Sequence, residues 1–120
     1  MTKIVVDSYI IFSAILNTNS RVAQIIINGT RYYKFFAPQY VRHEIFEHKD
    51  KLKKTAKLSN DEFVNIYELI IRNITILNHT LVPKRNYQQA MEICESIDID
   101  DTAFVAVASY VGGNLWTGDK

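Results

Sequence analysis

The sequence predicts an α/β domain built on a parallel sheet, and three observations carry that expectation. Short apolar stretches recur at residues 4–6, 34–37, 74–77 and 114–117. The segments between them place apolar residues at helical spacing. One of those segments, residues 101–111, is apolar almost all round, with Ala103, Phe104, Val105, Ala106, Val107 and Ala108 in a row. A helix without a polar face is buried, and its alanines permit close packing on a sheet.

The elements follow in order. Ile4, Val5 and Val6 form a strand buried on both faces, and residues 10–16 continue apolar at helical length. Val22, Ile25 and Ile26 set a second helix over 21–28, with Gly29 expected in the left-handed position that closes it. After the strand at 34–37, Pro38 suits the first position of a helix that runs to about His48, because its missing N–H would have no partner there. The basic segment 49–57 is a short helix or loop. Ser59 and Glu62 stand at capping-box spacing. They open a helix whose stripe is Phe63, Ile66, Tyr67, Ile70, Ile71 and Ile74. A strand at 74–77, a loop at Pro83 and an amphipathic helix over 87–96 lead to the buried helix. Gly112 and Gly113 end that helix, residues 114–117 form the last strand, and Gly118-Asp119 a turn.

The chain has 120 residues, the size of one domain with one core, and shows no repeat or linker. Its net charge is +1, so nucleic-acid binding would need a local basic patch and not global charge. The lone cysteine, Cys94, cannot close an internal disulfide and reads as a small buried thiol of a reduced, cytoplasmic protein. Asp7 and Ser8 interrupt the greasy N-terminal stretch, against a signal peptide, and no apolar run nears the ~20 residues that span a bilayer.

Asp7 is the first chemical signal. It follows a buried strand directly, and an ionised carboxylate at a core edge must be paired, hydrogen-bonded or metal-bound. Ligands of parallel sheets bind at the carboxyl ends of the strands, where Asp7 and Asp119 both lie. Glu44 borders the apolar stripe of its helix, and Asp101 begins the buried helix, with Asp98 and Asp100 beside it. If these acids converge they repel, by roughly 4 kcal/mol for two unit charges ~4 Å apart at an effective dielectric of ~20. Mg²⁺ or Mn²⁺ relieves such crowding, and a pair of these ions activates water and stabilises the leaving oxygen in phosphodiester cleavage. Each acid also has a plain structural reading. Asp7 can cap the following helix, Glu44 can lie at a helix edge, Asp98 can be an N-cap with Asp101 in the first turn, and Asp119 can populate a turn.

Four pieces, in order, resemble the PIN domain family of nucleases, which includes the VapC toxins of bacterial toxin–antitoxin pairs. They are "IVVDSYIIFSAIL", "APQYVRHEIFE", "DIDDTAFVAVA" and "LWTGDK", and together they span nearly the whole chain. The resemblance implies a three-layer sandwich with a central parallel sheet flanked by helices. It implies a Mg²⁺- or Mn²⁺-dependent endoribonuclease, with Asp7, Glu44, Asp101 and Asp119 as metal-binding and catalytic acids. Ser8 and Thr117 would support them. It further implies an RNA substrate, an antitoxin partner and a homodimer. Two departures stand out. Tyr9 replaces the Asn that usually follows Asp-Thr or Asp-Ser in the family. The family also usually continues past the "TGD" turn, so the C-terminal edge of the sheet is expected to be incomplete. These departures motivate the alternative of a binding module that acts through a partner without catalysis.

Other signals carry less. Arg42, Lys49, Lys51, Lys53, Lys54 and Lys57 can steer an RNA backbone or simply form a solvated face. Tyr32, Tyr33 and Tyr40 can stack bases, or serve as core or dimer contacts. His43, His48 and His79 have no zinc-like spacing and are expected at the surface. No phosphate-cradling glycine loop precedes a helix, Asp7 has no second acid at position 9, and no serine elbow is present.

Overall fold

A computed structural model describes residues 1–94 and 101–117. Its centre is an all-parallel sheet of β1 (Thr2–Val6), β2 (Tyr33–Pro38), β3 (Ile74–Leu77) and β4 (Asn114–Trp116), in the order β3-β2-β1-β4. Register is set by pairs such as Val5 with Phe36, Val6 with Trp116, and Phe36 with Thr75. This is the expected α/β sandwich, because the strands bury both faces.

Successive strand residues point to opposite faces, so alternation divides the core in two. Val6, Phe35, Ala37 and Ile74 pack with α1 (Ser8–Leu16), α2 (Arg21–Asn28), α3 (Tyr40–Glu47), α4 (Lys49–Ala56) and α5 (Asn60–Ile71). Val5 and Phe36 face the other layer, α6 (Lys84–Cys94) and α7 (Thr102–Val111), through Ala90, Ala106 and Val107. The alanines of α7 let it lie against β1 and β2, as its composition required.

Local chemistry explains the boundaries. Ser20 caps α2 by accepting from the Ala23 N–H at 3.2 Å. Ser59 and Glu62 form the reciprocal capping box of α5, at 2.8 and 3.1 Å. Gly112 ends α7 in the left-handed region at φ 72°, the conformation glycine adopts without penalty.

Several boundaries differ from the sequence expectation. Helix α1 starts at Ser8, two residues early, because Asp7 itself caps it. Gly29 closes α2 at φ −88° and opens a 3₁₀ turn over Gly29–Arg31, so it is not left-handed. Pro38 ends β2 and does not begin a helix; α3 starts at Tyr40. The Gln39 N–H donates to Leu77 O on the β3 side at 2.9 Å. The proline's missing N–H therefore falls on the β1 side, where pairing has already stopped at Phe36, and no ladder bond is lost. Helix α6 begins at Lys84, directly after Pro83, whose carbonyl accepts from the Asn86 N–H at 3.0 Å. The end of the helix expected over 87–96, the Cys94 side chain and the Gly118-Asp119 turn lie outside the described residues.

Two outcomes are expected. A Cβ on Gly113 would stand 2.9 Å from the Lys3 carbonyl oxygen and 3.1 Å from Lys3 Cβ. Gly113→Ala should therefore push β4 from β1 and cost about 1–3 kcal/mol in urea unfolding. The Ser59 hydrogen bonds hold the Glu62 carboxyl below its ordinary value of 4.5. A depressed folded-state pKa adds stability above the unfolded value that is lost as pH falls through the folded one. Glu62→Gln should thus lower stability slightly at neutral pH, with variant and parent converging as pH falls below 4.5.

Candidate metal and nuclease site

The strand order reverses at β1: the chain moves outward from β1 to β2 and β3, then returns to place β4 on the other side. The carboxyl ends of β1 and β4 thus flank a topological switch point, where α/β sheets bind ligands. Asp7 is the residue there. Its N–H donates to the Trp116 carbonyl at 3.2 Å, tying the two strand ends together. Its side chain, 6% exposed, caps α1 by accepting from the Ile10 N–H at 3.0 Å. The positive end of α1 thereby offsets part of the cost of burying this charge.

Ser8 extends the constellation to a second element. It is buried, and its hydroxyl donates to Glu44 Oε1 across 36 residues of sequence. Glu44 is half-buried on α3, beside buried Val41 and Ile45, as its place on the helix stripe required. This hydrogen bond joins α1 to α3 beside Asp7.

Asp101 is half-buried and occupies the N-cap position of α7, one residue before the first turn where the sequence placed it. Its side chain makes no capping hydrogen bond. Thr117 is exposed just past β4. Asp119, Asp98 and Asp100 lie outside the described residues. Among the described residues no three His, Cys, Asp or Glu side chains form a group that could hold a metal ion. The acids that are described offer only oxygen donors, and these suit a hard divalent cation such as Mg²⁺ or Mn²⁺.

Beside Glu44 opens a cleft of about 440 Å³ between α1 and α4. Tyr9, Phe12 and Leu16 line it from α1, and Glu44, His48 and Lys51 from the opposite side. The basic run does not face one way. Lys51 lines the cleft, whereas Lys49 lies over the Phe63 ring at 5.8 Å and the Arg42 charge acts on the Tyr67 hydroxyl. Burial raises the pKa of that hydroxyl, and the Arg42 charge opposes the shift. Lys51, Lys54 and Lys57 are exposed and Lys53 is half-buried. Tyr32 and Tyr40 are exposed, as is Tyr33 to a lesser degree, so none belongs to the core. In the sequence Tyr9 stands out only as a departure from the family pattern and Phe12 not at all, because adjacent helical sequence does not reveal which side chains rim a cavity. His43 sits at the surface, 3.3 Å from Glu47.

Ser8→Ala should cost about 1–2 kcal/mol in denaturant unfolding, since the Glu44 carboxyl loses the hydrogen bond that the buried hydroxyl donates. Ser8→Thr, which retains the donor, should lose less.

Comparison with curated proteins gives no match. The family model described as PIN domain matches residues 5–120, spanning the strand–acid–helix opening, the Glu44 helix and α7. The chain belongs to the PIN domain family, whose members are generally nucleases.

Proposed function

We propose that this PIN domain is a metal-dependent endoribonuclease that hydrolyses RNA phosphodiester bonds at the switch point between β1 and β4. The observation that carries the reading is the buried Asp7 carboxyl at that point, with the next residue, Ser8, hydrogen-bonded to Glu44 of α3. Asp7, Glu44, Asp101 and Asp119 would hold Mg²⁺ or Mn²⁺. When bound, such an ion neutralises phosphate charge and lowers the pKa of water.

The chain's own groups supply position. The N-terminus of α1 fixes the Asp7 carboxyl through the Ile10 N–H bond and favours negative charge there. Ser8 limits the rotamers of Glu44 at the mouth of the cleft. Lys51, on the cleft wall, draws in the polyanion. In the hydrolysis, a water oxygen bonds to phosphorus while one ribose–phosphate P–O bond breaks. The water's proton leaves towards the carboxylates, and the departing ribose oxygen is protonated. The toxin role, an antitoxin partner, a homodimer and a cytoplasmic site of action belong to the same proposal through the family likeness.

Tyr9 favours a second reading, a binding module without catalysis. It is 63% exposed and lines the cleft where the family usually carries an Asn amide. Calorimetric Mn²⁺ titration separates the two: stoichiometric binding supports the nuclease, and no binding at millimolar metal supports the module.

Asp7→Asn is the decisive variant. Asn caps helices about as well as Asp, so the fold should persist. Loss of the charge should reduce Mn²⁺-dependent RNA cleavage by more than about a hundredfold. Equal cleavage by variant and parent would remove Asp7 from the mechanism.

A further inference from the structure

The cleft beside Glu44 has a chemical character of its own. Its volume of about 440 Å³ lies within the roughly 300–1,000 Å³ of sites that hold small organic groups. Its walls pair aromatic rings with polar groups, including the Ser13 and Thr55 hydroxyls. Phe12 is half-buried at the centre of a ring cluster. It meets Tyr9 edge-on at 5.9 Å and His48 at 5.2 Å. Phe12 thus buttresses the two exposed rings on either side of it.

His48 is also oriented. Its Nδ1 lies 2.9 Å from the Glu44 carbonyl oxygen, which can only accept, so Nδ1 carries the proton and donates. In the neutral ring Nε2 is then the acceptor. Lys51 follows one helical turn along, on α4, whose sequence KDKLKKTA carries four lysines against one aspartate. The cleft therefore combines an exposed aromatic face, a hydrogen-bonding edge and a cation within a strongly positive helix.

We infer that this cleft is a nucleobase subsite for single-stranded nucleic acid, in which Tyr9 stacks the base, His48 meets its polar edge and Lys51 meets the adjoining phosphate. The inference rests on the nuclease reading for the site next door and deepens it. Tyr9 stands two residues from Asp7 on the same helix, and Glu44 belongs to both the acid constellation and the cleft wall. A strand whose base occupies the cleft has its backbone led past the acids. Base stacking on an aromatic tolerates any base, so the subsite positions a single strand without reading its sequence. A duplex keeps its bases stacked inside and does not offer one. Positive charge along α4 favours a polyanion over an apolar protein helix as the occupant.

The test is fluorescence anisotropy with a short fluorescein-labelled single-stranded RNA in EDTA, where no cleavage occurs. Tyr9→Ala should weaken binding at least about fivefold, and Tyr9→Phe should stay within about twofold of the parent. Lys51→Ala should weaken binding and make the slope of log K against log salt shallower by ~0.7, the share of one single-strand phosphate contact. Lys34→Ala, which removes the lysine over Phe36, should leave binding unchanged. Circular dichroism melts establish that the variants fold, and the exposure of Tyr9 and Lys51 makes that the expected result. Parent-like binding by Tyr9→Ala overturns the subsite. So does tight binding of an amphipathic helical peptide that depends on Tyr9 when the parent does not bind the RNA. Because the readout needs no cleavage, it can fail while Asp7→Asn still abolishes hydrolysis, and the reverse outcome is equally visible.

Discussion

A buried carboxylate at the end of a buried strand is the constraint around which this protein is organised. A buried carboxyl needs fixed partners, and the backbone supplies one of them to Asp7. The first turn of α1 donates an N–H to the side chain, and the Asp7 N–H holds the end of β4. The same residue thus starts a helix, joins two strands and presents a carboxyl group at the switch point of the sheet. Removing any one of these roles would disturb the others, because all three meet at one position in the backbone.

The rest of the architecture serves to make that position rigid. Alternation along β1 and β2 sends Val6 and Phe35 into one helical layer and Val5 and Phe36 into the other. Both faces of the sheet are therefore covered, and the strand ends cannot shift without opening a core. Helix α3 is anchored by Val41 and Ile45, both fully buried, which leaves Glu44 at the border between core and cleft. Ser8 closes the gap between α1 and α3 with a single hydroxyl.

Much of this was legible in the residues themselves. Strand β3 and helix α2 fall where their patterns put them, because a strand of Ile-Thr-Ile-Leu and a Ser-capped amphipathic helix are set by local chemistry. The capping box of α5 is written in two residues three apart. Pro38 misled because proline suits both a helix start and a strand end. Which applies depends on whether a neighbouring strand needs its N–H, and that is settled by β1 stopping two residues earlier. Gly29 misled for a similar reason: glycine permits the left-handed turn without requiring it.

The sequence by itself determined the fold class, the two-sided burial of β1 and the presence of an acid beside it, since these follow from periodicity and from the cost of burying charge. Tertiary structure alone decided that Ser8 reaches Glu44, that Lys49 lies over Phe63 and Arg42 acts on the Tyr67 hydroxyl while Lys51 lines the cleft, and that Tyr9 and Phe12 gather with His48. Most of those contacts join separate helices, Ser8 with Glu44 and Phe12 with His48 being 36 positions apart. They depend on the angles at which helices cross a twisted sheet, which local sequence chemistry does not encode.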